Sequence, residues 1–201
     1  MSGEPNGLRR QAADSPATYA SGVPNGPACL RLPPVLAPAF ASAGWTVGAD
    51  PAPGAADLFA ALLGGPDPEG ALGRLGALFT AHPGMGAESL ADGRLGRALV
   101  ALAGASPALS RQATFDLEAL RCAVAGRPLP PFALPAGDPE AGLAAIRRRV
   151  ASRLVAIAAA DLTGRLDMPE VGAALSATAD EAAAAALEAV AGPEGPPIPF
   201  A

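Results

Sequence analysis

The sequence predicts an all-α fold: a multi-helix bundle of six to eight helices, with a long antiparallel C-terminal helix pair and a disordered N-terminal tail. Three observations predict it. Apolar residues recur at steps of three and four, the helical period. No segment alternates apolar and polar residues with the period of a strand. Helix starts and stops punctuate the chain, with acid-Pro-acid at the starts and Gly or Pro at the ends. Three regions follow: a tail over 1–28, a helical domain over 29–192, and a linker over 193–201.

The elements follow in order. Residues 1–28 are rich in Gly, Pro, Ser and Asn and show no period, which predicts a tail. Pro33 and Pro34 open a short helix carrying Val35, Leu36, Ala39 and Phe40, which Trp45 then packs against or caps. From Asp57, Leu58, Phe59, Leu62 and Leu63 mark one helical face, ended by Gly64-Gly65-Pro66. Asp67-Pro68-Glu69 supplies an N-cap, a first-turn Pro and an acid for the next helix. That helix carries Leu72, Leu75, Leu78 and Phe79, and His82-Pro83-Gly84 stops it.

Leu95, Leu99 and Leu102 mark a helix ended near Gly104, and Ser106-Pro107 starts a short one. Phe115, Leu117, Leu120 and Val124 mark a further helix, stopped at Gly126. Four prolines make 127–137 a loop. Asp138-Pro139-Glu140 then starts a long helix with Leu143, Ile146, Val150, Leu154 and Ile157 on one face, ended by Gly164. Asp167 and Glu170 have capping-box spacing, and Leu175, Ala179, Ala183, Leu187 and Val190 carry the last helix to Gly192. The short connection between these two helices predicts antiparallel neighbours over about 139–163 and 168–191.

Composition excludes several classes. The 201 residues include 24 Gly and 23 Pro, 50% hydrophobic residues and 16% charged ones; all 14 basic residues are Arg. A mean hydropathy of +0.29 with a net charge of −5 argues against full disorder. The acidic balance disfavours nucleic acid as a partner. No long uninterrupted apolar run predicts a membrane span. Two cysteines, Cys29 and Cys122, exclude a disulfide scaffold, and with one His they fall short of a zinc ligand set. A cytoplasmic location is expected.

Candidate chemistry is sparse. His82 at a helix end and Cys122 between apolar neighbours both read as structural. Asp161 with Asp167 and Glu170 reads as helix-end electrostatics and a cap rather than a metal site. The one basic density is Arg147-Arg148-Arg149 with Arg153, where Arg149 and Arg153 share a helix face while Ile146 and Val150 point to the core. This cluster either contacts phosphate or docks a further domain, or else is a solvated face with acidic partners. No Gly-rich phosphate loop or Gly-x-Ser-x-Gly elbow occurs, so the residues alone present no catalytic constellation.

Four segments, in order over 55–201, resemble the glutamine-synthetase adenylyltransferase/adenylyl-removing family. They are Asp67-Pro68-Glu69-Gly70-Ala71-Leu72, Leu102-Ala103-Gly104-Ala105-Ser106-Pro107-Ala108-Leu109-Ser110, the run from Arg147 through Asp161-Leu162-Thr163-Gly164, and Leu175-Ser176-Ala177-Thr178-Ala179-Asp180. Ile198-Pro199-Phe200-Ala201 resembles the opening of the family's first nucleotidyltransferase strand. Where the family carries Arg before Ile and before Asp-Leu, this chain has Ala156 and Ala160.

The resemblance implies the helical N-terminal region of an enzyme that uses Mg and ATP. Such an enzyme transfers AMP to a Tyr of glutamine synthetase and removes it by phosphorolysis. Its partners would be glutamine synthetase and the PII signalling protein. The family's metal-binding Asp pair is not in this sequence. The chain alone is therefore expected to bind neither cofactor, to be inactive, and to scaffold a catalytic core. A reading from another class is a stand-alone α-helical interaction module.

Overall fold

The computed structural model describes residues 34–45, 54–132, 135 and 138–191. The expected tail over 1–28, Cys29, Pro33 and the linker over 193–201 lie outside the described residues. Among the described residues the chain forms nine helices and no strand: α1 (Ala37–Ser42), α2 (Ala55–Leu63), α3 (Pro68–Ala81), α4 (Pro83–Ala91), α5 (Gly93–Ala105), α6 (Pro107–Phe115), α7 (Leu117–Ala125), α8 (Pro139–Leu162) and α9 (Met168–Ala191). None is long and apolar enough to cross a membrane.

The helix count exceeds the expected six to eight because His82-Pro83-Gly84 ends one helix and starts another. His82 is the C-cap of α3 and the N-cap of α4, and Pro83 takes the first position of α4, where its missing N–H has no partner to lose. The predicted caps elsewhere close as expected. Asp67 accepts from the Gly70 amide, Ser106 from Leu109 and Asp138 from Glu140 and Ala141. Two caps were not anticipated: Asp92 opens α5 and Asp116 opens α7. In α1 the helix-starting proline is Pro38 rather than Pro33 or Pro34, and Val35 is exposed. Phe115, assigned from sequence to the face of α7, ends α6 instead and is exposed.

The core is built around α5, which buries seven of its thirteen residues against its neighbours. Gly96 lets α5 approach closely: a Cβ there would come within 2.6 Å of Leu58 Cδ1 and of the Ser89 carbonyl oxygen. At one end, Phe40, Trp45, Phe59 and Phe79 form an aromatic cluster with ring centroids 5.2–6.0 Å apart, the separation of edge-to-face and offset pairs. Trp45 is fully buried and its indole N–H is satisfied by the Gly86 carbonyl (3.2 Å) and the Ser89 hydroxyl (3.1 Å). As the sequence predicts, Trp45 packs against the first helix, on Phe40, and its amide donates to the Phe40 carbonyl (2.9 Å).

Helix α8 lies between that body and α9. It sends Val155 and Ala159 into the core of that body. Ile146, expected to point to the core, lies on the opposite side of α8, buried on the face of Gly142 and Arg153, and Leu154, expected on the same apolar face, is 38% exposed. Gly142 faces Ala189, and Arg153 pairs with Glu181. The contacts run in opposite order along the two helices, as antiparallel packing requires. The seam on α9 consists of small residues, with Thr178 and Ala185 buried and Ala174, Ala182 and Ala189 half-buried. The residues that mark this helix in the sequence, Leu175, Ala179, Ala183, Leu187 and Val190, are exposed. Small side chains permit a short interaxial distance, so Ala and Thr take the seam and displace the larger residues to the flank.

Candidate functional site

The predicted arginine cluster does not converge on one point. Arg147 is exposed. Arg148 and Arg149 line an open cavity of about 530 Å³ whose other walls include Gln112, Phe115, Phe132 and Ser152. Asp116 also lines it, accepting from the Ser152 hydroxyl and from the Ala119 amide at 3.2 Å. One carboxylate thus faces two guanidiniums there.

Arg153 works differently. Its guanidinium makes a two-pronged pair with Glu181 at 3.0 and 2.5 Å, and it lies 5.0 Å from the centre of the Phe132 ring. Its Nε is buried and has no hydrogen-bond partner among the described residues. Arg153 is therefore a strut between α8 and α9, the acid-paired outcome that the sequence left open. Arg147, Arg148 and Arg149 form no ion pair among the described residues.

The other singled-out residues resolve structurally. His82 Nε2 lies 2.8 Å from the Thr114 carbonyl, so the ring donates there and ties the α3–α4 corner to α6 rather than capping its own helix. The Cys122 thiol is buried and directed at Glu118, and burial pushes its pKa up, away from the reactive thiolate. Asp167 and Glu170 close a reciprocal capping box: the Asp167 amide donates to Glu170 Oε2 (2.8 Å) and the Glu170 amide to Asp167 Oδ1 (2.9 Å). Asp161 stands exposed. Among the described residues no group of His, Cys, Asp and Glu is arranged to hold a metal ion.

The feature that sequence reasoning missed is the outer face of α9. This helix packs on α8 and on no other helix to a comparable extent. Met168 (79% exposed), Leu175 (42%), Leu187 (40%) and Val190 (74%) stand in solvent along it. Large apolar residues aligned on one helix are the usual mark of a contact surface. The 3.6 period does show in the sequence; what it does not show is which of two apolar faces meets α8.

The described residues define an all-α fold with exposed apolar side chains along α9. In comparison with known proteins, no family model, no curated protein and no solved structure matches the chain.

Proposed function

We propose that the chain is a helical scaffold, the N-terminal helical part of a glutamine-synthetase adenylyltransferase/adenylyl-removing enzyme, whose outer face on α9 seats a catalytic nucleotidyltransferase domain. One observation carries the scaffold reading: a 24-residue helix that, among the described residues, packs mainly on α8 leaves Met168, Leu175, Leu187 and Val190 uncovered. Covering four such side chains is worth several kcal/mol by area burial, about 1.5–3 kcal/mol for each fully buried apolar side chain. The family assignment rests on the four ordered segments, which fall at the start of α3, the α5–α6 junction, α8 and α9. In this reading Mg and ATP belong to the seated domain, and glutamine synthetase and PII are the partners of the assembly.

The test is co-assembly. The chain is mixed with a separately purified nucleotidyltransferase domain of that enzyme family, and AMP removal from adenylylated glutamine synthetase is measured. The expected result is a stable complex with higher activity than the domain alone, lost in the Leu175→Glu, Leu187→Glu double variant. Absence of any complex, with a monodisperse chain, would instead establish the stand-alone interaction module.

A further inference from the structure

A second basic site lies far from the predicted cluster. The first turns of α5 and the C-terminal ends of α7 and α8 enclose a cavity of about 360 Å³. Arg94, Arg97 and Arg165 line it, and no carboxylate does. None of these three guanidiniums forms an ion pair among the described residues. The nearest helix-capping acid in sequence, Asp92, is engaged with the amides of Arg94 and Leu95. Three uncompensated cations around one cavity run against a chain of net charge −5.

The cavity has two further features. Arg165 is held in place: its Nη1 donates to the Ala123 carbonyl and, at 2.7 Å, to the Val124 carbonyl at the end of α7. Gly126, with φ of +69°, leaves room for that guanidinium, since a Cβ there would stand 2.7 Å from Arg165 Nη2. A second cavity of about 320 Å³ shares Arg97 and Thr163 with the first. Its other walls are mostly apolar, including Leu62, Pro66, Val100 and Leu162. Cationic and apolar halves therefore meet at Arg97.

We propose that this groove binds a phosphate monoester carrying a short apolar body. The phosphate dianion sits among the three guanidiniums, and the apolar body lies along Leu62, Val100 and Leu162. A carboxylate saturates one arginine fork, whereas a phosphate dianion presents enough oxygens and charge for several. Neither cavity is lined by an aromatic side chain on which a nucleobase would stack, which favours an aliphatic body. The face of α9 has no part in the groove, so the proposal stands or falls independently of the scaffold reading.

The test is calorimetric titration of the full chain with octyl phosphate below its micellar concentration, beside inorganic phosphate and octanoate. Octyl phosphate is expected to bind at least tenfold more tightly than either. Arg97→Gln is expected to weaken it about tenfold, in line with the loss of one charge-assisted hydrogen bond. Leu162→Asn is expected to weaken octyl phosphate while leaving inorganic phosphate unchanged. Arg97 is exposed and has no hydrogen-bond partner among the described residues, so its variant should keep the wild-type melting curve, read by Trp45 fluorescence. Three results would each overturn the proposal: no binding of octyl phosphate, equal binding of octanoate, or an Arg97→Gln variant that binds like wild type.

Discussion

Glu88 on α4 and Arg121 on α7 form a two-pronged ion pair, both contacts at 2.7 Å. The Arg121 hydrogen bonds hold the Glu88 carboxyl below its ordinary range, and the pair outweighs the opposing effect of burial. A lowered folded-state pKa stabilises above the unfolded pKa, about 4.3 for Glu, and that stability is lost as pH falls through the lowered value. Both side chains are 38% exposed, so screening keeps the contribution below about 1 kcal/mol. Urea denaturation of Glu88→Gln should show a loss of that size at pH 7, shrinking as pH drops below 4. Gly96→Ala should cost more, about 1–3 kcal/mol, because its Cβ would strike the Ser89 backbone as well as Leu58. At this scale three caps are plain in the sequence, since Asp67-Pro68-Glu69, Ser106-Pro107 and Asp138-Pro139-Glu140 are local signals, whereas Asp92 and Asp116 lack the following Pro that marks those starts. The Glu88–Arg121 pair was not, because 33 residues separate its members.

The helices divide by how many neighbours each has. α5 sits against α2, α3, α4, α6, α7 and α8, whereas α9 rests on α8. Local opening follows buried contacts, so α9 should exchange its amide hydrogens at a lower free energy than α5. Hydrogen-exchange mass spectrometry resolves that difference, and equal protection of the two helices would contradict it. The capping box makes a sharper prediction. Asp167→Ala with Glu170→Ala should cost about 1 kcal/mol and speed exchange in the first turn of α9, leaving α5 unchanged. Sequence periodicity locates both long helices but does not tell which face of α9 turns inward. Leucine spacing marks an apolar stripe; it does not say that a ridge of Ala and Thr packs more closely on α8. The α3–α4 corner was half legible: His82-Pro83-Gly84 reads as a stop, and only the geometry adds that Pro83 begins the next helix.

Across the described residues, α8 is packed into the body through Val155 and Ala159, and α9 lies against α8 with an uncovered outer side. The Arg94–Arg97–Arg165 groove could not be read from the sequence, because α5 and the ends of α7 and α8 bring its residues together only in the fold. The Arg147–Arg153 cluster was legible as a density, but the structure divides it between a cavity wall and an interhelical strut. The scaffold reading depends on the outer face of α9 being sticky toward a partner. The measurement that tests this most directly is sedimentation velocity of the chain with parallel binding of an apolar dye, for wild type and for Leu175→Glu, Leu187→Glu. Wild type should bind the dye and self-associate as concentration rises, while the variant keeps its helicity, sediments as a monomer and loses dye binding. A wild-type chain that stays monomeric and dark at every concentration would contradict the account.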